Sequence, residues 1–284
     1  MRLRIQHRTR YLYTRPVDFG QHRLVIRPRE GHDLHIERMD LRIEPAHTLM
    51  WVRDVFGNSI ALADFTASAD MLDIESDVVV ERLAPFPARD MHEPMRLSFP
   101  VTYDAMETTI TSAYLVPSFS DEVRAVRSWA NRELAVRPDD AEGTMLSLCE
   151  LIFRRIRYQR RSEKGVQSPA HTLEVGSGSC RDLATLMMDA ARSLGVAARF
   201  ASGYLHGEAS LAGEASTHAW TEVYLPALGW RGFDPTSGQL TGQHHVVTGV
   251  SDHPRGVMPI TGAFVGGSSD FRDMIVQVRT EELP

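Results

Sequence analysis

The stretch GSGSCRDLATLMMDAARSLGV, residues 176–196, changes character at Cys180. Up to Ser179 the residues are small and flexible. From Cys180 onward, the spacing of Leu183, Leu186, Met187, Ala190 and Leu194 predicts one buried stripe of a helix that Gly195 ends. The cysteine thus stands at a helix start, where unpaired backbone N–H groups and the positive end of the helix dipole favour thiolate over thiol. The Gly176-Ser177-Gly178 approach lets backbone come close to a bound group, and the Cys180 N–H is placed to face a developing oxyanion. Taken alone, such a cysteine is as readily structural as reactive.

A second stretch, STHAWTEVYLPALGWRGFDPTSG (216–238), reads as two strands joined by a turn over Pro226 to Gly229. Alternation puts His218, Trp220, Glu222 and Tyr224 on one face of the first strand, and Trp230, Gly232 and Asp234 on one face of the second. If even-numbered residues pair with even-numbered ones, His218 and Asp234 come within diagonal reach. The sequence alone leaves that register open. A buried acid behind an imidazole fixes its tautomer and stabilises its cation, so Cys180, His218 and Asp234 form a candidate nucleophile, base and orienter.

Working outward, residues 1–114 carry strand patterns with no helical period. Leu3, Ile5, Thr9, Tyr11 and Tyr13 share one parity, while Arg2, Arg4, Gln6, Arg8 and Arg10 share the other. Phe56-Gly57-Asn58 reads as a hairpin turn. After the proline-bearing stretch from Pro94 to Pro117, helical patterns take over, which puts a domain junction near residue 115. Ser120-Asp121-Glu122 reads as the cap of one helix, and a second is expected from about Glu142 to Tyr158, with Met145, Leu148, Cys149, Ile152 and Ile156 inward. Cys149 is therefore read as a core residue. The arginines at 154, 155, 157, 160 and 161 read as a solvated helix end, and His244-His245 as a polar turn.

Composition narrows the classes. With 284 residues, 43% hydrophobic and 24% charged, the chain is long enough for two ordinary soluble domains. A net charge of −6 gives no electrostatic footprint for nucleic acid. No window is apolar enough to span a membrane, and arginines interrupt the N-terminus before a signal-peptide core forms, so a cytoplasmic location is expected. Two cysteines outside any CxxC pair argue against a disulfide framework or a cysteine-rich zinc site. Lys164, the one lysine, has the wrong neighbours for a Walker phosphate loop. HExxH and calcium-loop patterns are also missing, so neither metal nor cofactor is expected.

Four segments, GSGSCRD, ARFASGYL (198–205), THAWTEVYL and GWRGFDPTSG, together resemble the bacterial transglutaminase-like superfamily, which includes cysteine proteases. RDVFGNSIALADF (53–65) is similar to that family's bacterial N-terminal region, and PITGAFVGG (259–267) weakly to its tail. The resemblance implies Cys180 as nucleophile, His218 as general base and then acid, and Asp234 as the residue orienting His218. Many relatives have glutamine directly after the cysteine and histidine four positions further on, where this chain has Arg181 and Thr185, so no role transfers to those two. Tyr158 is a candidate second oxyanion donor that no pattern secures.

The expected fold is α+β, with an N-terminal antiparallel β domain (1–114) and a papain-like, transglutaminase-like core (115–284) that includes a C-terminal β tail. The expected substrate is a peptide or protein, attacked at a peptide or carboxamide carbonyl to give a thioester on Cys180. Water would complete a hydrolysis, the preferred reading. A primary amine would give glutamine cross-linking instead, and a chain that had lost catalysis would serve as a binding scaffold.

Overall fold

The computed structural model describes residues 1–83, 97–161, 163, 165–206, 216–226 and 228–284. Pro94 and Lys164 lie outside them. Six strands open the chain: β1 (Arg2–Phe19), β2 (His22–Leu24), β3 (Leu34–Glu44), β4 (His47–Arg53), β5 (Ser59–Phe65) and β6 (Ala69–Arg82). Alternation in β1 is as expected: Leu3, Ile5, His7 and Thr9 are buried, with Arg4, Gln6 and Arg8 between them. Arg4 and Arg8 reach across the ladder to Asp77 and Asp73 of β6, the opposite-charge pairing that suits cross-strand neighbours.

Helices follow: α1 (Ala105–Thr111), α2 (Val123–Glu133) and α3 (Ala141–Arg155). Ser120 does not cap α2 as expected; Ser120–Glu122 form a 3-10 turn, and Glu122 precedes the helix. The Glu122 carboxylate instead accepts from the Ala170 N–H, 2.8 Å away, at the start of α4 (Pro169–Val175). α3 also stops short of Tyr158. Ile156 turns extended, and β7 (Arg157–Tyr158) pairs in parallel with β8 (Ser177–Gly178).

The second half is built on α5 (Cys180–Ser193) and a sheet ordered β12-β11-β10-β9-β13. Its strands are β9 (Ala198–Leu205), β10 (Ser216–Leu225), β11 (Gly229–Asp234), β12 (Gln239–Leu240) and β13 (His245–Ser251). All its pairings are antiparallel. α5 lies against β10 and β9 and against α2, α3 and α4, so it is buried from Asp182 to Ser193 rather than along one stripe. Its buried charges have partners: Asp189 accepts from the Ser118 and Phe119 N–H groups, and Arg192 donates to the Val116, Ala198 and Asp252 carbonyls.

The C-terminal tail returns to the first half. β14 (Ile260–Thr261) pairs with β2, and β15 (Phe264–Val265) and β16 (Phe271–Leu283) both pair with β1. Chain order had placed this tail with the second half, but its strands pair with the N-terminal ones. The two halves also share their interior. Val25 and Ile60 sit in one apolar cluster with the residues around α5, and Leu3, Ile5 and Val78 pack with Tyr204 and Val246.

β13 is the edge strand of the core sheet, and an edge leaves backbone groups to be satisfied. The N-terminal half supplies the partners. Arg29 N–H donates to Val247 O at 2.8 Å, and the buried Asn58 amide both donates to Val250 O at 2.8 Å and accepts from Val250 N–H at 2.9 Å. Asn58 belongs to the RDVFGNS hairpin, so that motif serves the core sheet as well as its own turn. Among the described residues, no helix is long and apolar enough to cross a membrane.

Candidate active site

Two glycines prepare the turn into α5. Gly176 takes a left-handed conformation at φ 64° to end α4, and a Cβ on Gly178 would stand 2.8 Å from the Asp182 Cβ. Asp182, buried in the first turn of α5, then ties the approach together. Its carboxylate accepts from the Ser179 N–H and hydroxyl, both at 2.8 Å, from the Gln167 N–H at 2.7 Å and from Arg161 Nη1 at 2.9 Å. Burial alone would raise its pKa, but these donors, led by Gln167, hold it below the usual carboxylate range. Arg161 is therefore no part of a solvated helix end: its side chain is 17% exposed and pairs with a buried acid. The others in that run behave closer to expectation, Arg154 and Arg155 lying exposed beside Glu150 and Glu133.

Asp182→Ala is expected to destabilise the fold by about 3–5 kcal/mol, because it leaves the largely buried Arg161 with only the exposed Glu163 as counter-charge and takes the acceptor from the Ser179 and Gln167 N–H groups. Urea unfolding reads this as a lower midpoint at unchanged slope. A loss under ~1 kcal/mol would show that the turn stands without the pair.

β10 and β11 pair with Glu222 opposite Gly232 and Tyr224 opposite Trp230. Even numbers do face even numbers, and His218 reaches Asp234 on the diagonal, Nε2 to Oδ2 at 2.8 Å. Both side chains are buried, Asp234 at 1% exposure and His218 at 7%. A carboxylate only accepts, so the shared proton sits on His218 Nε2. Nδ1 is left as the nitrogen available to the Cys180 thiol, which lies within hydrogen-bonding reach of the ring. The sequence-predicted trio is thus one cluster, with Cys180 partly exposed.

Burial would strip the proton from His218, but the Asp234 charge and hydrogen bond, helped by Cys180, push its pKa up to about 10. In turn, burial would raise the Asp234 pKa, and the two histidines beside it hold it far below the usual carboxylate range. A proton on this ring at neutral pH is therefore the stable state.

Two neighbours of Asp234 went unread in the sequence. Thr236 donates to Oδ1 from its N–H at 2.9 Å and its hydroxyl at 2.7 Å, a turn that the DPTS segment itself encodes. His245, read as a polar turn residue, starts β13 with Nε2 3.2 Å from Asp234 Oδ2. Its signal was only the Val-Val alternation that follows it.

His218, Asp234 and His245 offer three donor atoms within 4.8 Å of one another, close enough for a metal ion. The Gly242 N–H, however, donates to His245 Nδ1 at 3.2 Å. That places the ring's own proton on Nε2, where a metal would need a lone pair. Cys149 is buried beneath β12, its thiol donating weakly to Gln239 O at 3.8 Å. Burial, with Asp234 and Glu150 nearby, pushes its pKa well up, the condition of an inert core thiol. Tyr158 is exposed and near Cys180, and its hydroxyl pKa is raised by partial desolvation and then by that neighbour, so it remains a donor at neutral pH.

The family model of the bacterial transglutaminase-like N-terminal region matches residues 3–81, and that of the transglutaminase-like superfamily matches residues 127–235. An uncharacterized protein of Mycobacterium tuberculosis is 28% identical over 310 residues, covering 100% of this chain and 93% of its own length. One from Mycobacterium leprae is 23% identical over 283 residues, covering 98% of each. Among solved structures, "a Putative Cysteine Protease from Cytophaga hutchinsonii" matches with a TM-score of 0.74 at 17% identity, over 100% of this chain and 92% of that one. That last likeness is one of fold.

Proposed function

We propose that this chain, which belongs to the transglutaminase-like superfamily through its core at residues 127–235, is a cysteine-dependent acyl-transfer enzyme that hydrolyses peptide or carboxamide bonds. The observation that carries the reading is His218, held by Asp234 through Nε2 and within reach of the Cys180 thiol. That is the arrangement in which an imidazole takes a thiol proton and later returns it.

The steps follow from the residues. With its pKa raised, His218 holds the thiol proton on Nδ1 before attack, and the Cys180 sulfur adds as thiolate to the substrate carbonyl carbon. Asp234 stabilises the imidazolium and holds its orientation. The developing oxyanion meets the Cys180 N–H at the helix start, with the Tyr158 hydroxyl as a second donor. Collapse breaks the C–N bond, and the amine departs with the proton from His218, leaving a thioester on Cys180. Water then gives a proton to His218 and attacks the thioester carbonyl, releasing the acid and restoring the thiol. Hydrolysis is the preferred outcome because water needs no site of its own.

A pool of glutamine-containing peptides, incubated with the protein with and without a labelled primary amine, tests this by product mass. Hydrolysed peptides, or peptides deamidated by one mass unit, are expected in both reactions. Amine-bearing products would turn the assignment to cross-linking. No product, together with iodoacetamide labelling of Cys180 no faster than a free thiol, would leave only the scaffold reading.

A further inference from the structure

The Asp234 carboxylate is saturated. Oδ1 accepts from the Thr236 N–H and hydroxyl, and Oδ2 faces two imidazole nitrogens, His218 Nε2 at 2.8 Å and His245 Nε2 at 3.2 Å. A carboxylate offers about four lone-pair sites, and here each meets a donor. Three of those donors are accounted for by the local turn and by the candidate base. The fourth comes from β13, on the far edge of the sheet.

His245 is held so that it can only donate there. The Gly242 N–H at its Nδ1 requires a lone pair on that nitrogen. A protonated ring would set two N–H groups against each other. The ring packs edge-on to Trp220, with centroids 5.2 Å apart, and stands near His218 and His244. Burial, acting with those two neighbours against the pull of Asp234, pushes its pKa down. From the N-terminal half, Arg82 donates to the His245 carbonyl at 2.6 Å and pairs with Asp33 at 2.9 Å. With Arg29 at Val247 and Asn58 at Val250, this strand is fixed at three points by the first 82 residues.

We propose that His245 is a positioning residue: its neutral Nε2–H pins Asp234 Oδ2 in the plane that faces His218, and β13 thereby ties the N-terminal β region to the reacting set. The inference rests on the reading of Cys180, His218 and Asp234 as that set. Neither the family match nor the expected trio assigns His245 a role.

The test compares His245→Gln, whose amide nitrogen can replace the imidazole Nε2–H, with His245→Leu, which fills similar space without a donor. The full chain is used, with two readouts. One is the alkylation rate of Cys180 by iodoacetamide at pH 7, located by peptide mass. The other is side-chain nitrogen NMR of the histidines. In the wild type, His245 is expected as the Nε2–H tautomer, and His218 with a sharp, low-field Nε2–H. In His245→Leu that resonance broadens and alkylation slows about tenfold, the scale of one lost hydrogen bond to a charged group. In His245→Gln both return to near wild type.

A Leu variant with the wild-type rate and a sharp His218 resonance would overturn the proposal. So would equal losses in both variants with matched falls in melting temperature, which is what mere packing predicts. Wild-type alkylation no faster than a free thiol would sink the acyl-transfer reading instead, and the resonance comparison would still decide the role of His245.

Discussion

Cys180→Ala is expected to drop peptide hydrolysis below detection and to abolish iodoacetamide labelling of the native protein, with the melting temperature within a few degrees of wild type. The chemical half follows from the census of thiols. The chain has two cysteines, and Cys149 is buried, with its pKa pushed well up beside Asp234 and Glu150. No second sulfur can take over the attack. The structural half follows from position. Residue 180 opens α5, alanine is the best helix former, and the partly exposed side chain loses only one sulfur atom from its packing. The cost should stay under ~1 kcal/mol, roughly 2–4 °C for a chain of this size. His218 and Asp234 remain paired, so the His218 Nε2–H resonance should persist. Turnover that survives in this variant would remove Cys180 from the mechanism, whatever the geometry around it.

Much of this site was legible because its parts are local. The break from small residues to a helical period at Cys180 needs only twenty residues, and β10 and β11 are joined by a short turn, so parity limits their registers to two families. The even-to-even family was the one that brought His218 to Asp234, and Glu222 opposite Gly232 realises it. What stayed hidden depends on distant chain. Arg161 looks like its arginine neighbours until Asp182, 21 residues on, arrives beneath it. His245 looks like a turn residue until β13 joins β9 rather than continuing from β12. Nor can alternation in 271–283 say which edge a final strand will join, because antiparallel ladders carry no address in their pattern. Here it closes on β1, so both chain ends share one sheet.

Asp234→Asn is expected to slow acylation of Cys180 by about 10³–10⁴-fold, the scale on which an imidazole in the wrong tautomer disables a triad. The magnitude is large because the amide cannot be accommodated by rotation. Both oxygens of Asp234 are surrounded by donors, Thr236 N–H and hydroxyl on one and two imidazoles on the other. Whichever way the amide turns, its NH₂ group faces hydrogen already in place. If it faces the histidines, His218 must accept on Nε2 and carry its proton on Nδ1, toward the sulfur it should deprotonate. If it faces Thr236, the turn after β11 loses the bond from the Thr236 N–H. The charge is lost in either case. That charge, against the pull of burial, is what raises the His218 pKa to about 10, so the variant's ring should be neutral at pH 7. Side-chain NMR should show this as the loss of the high-pH titration. Peptide binding, which uses other surfaces, should change little, so the loss belongs to kcat rather than KM. An Asp234→Asn protein that acylates at the wild-type rate would mean that the pair at 2.8 Å is a structural contact and that the proton of Cys180 leaves by another route.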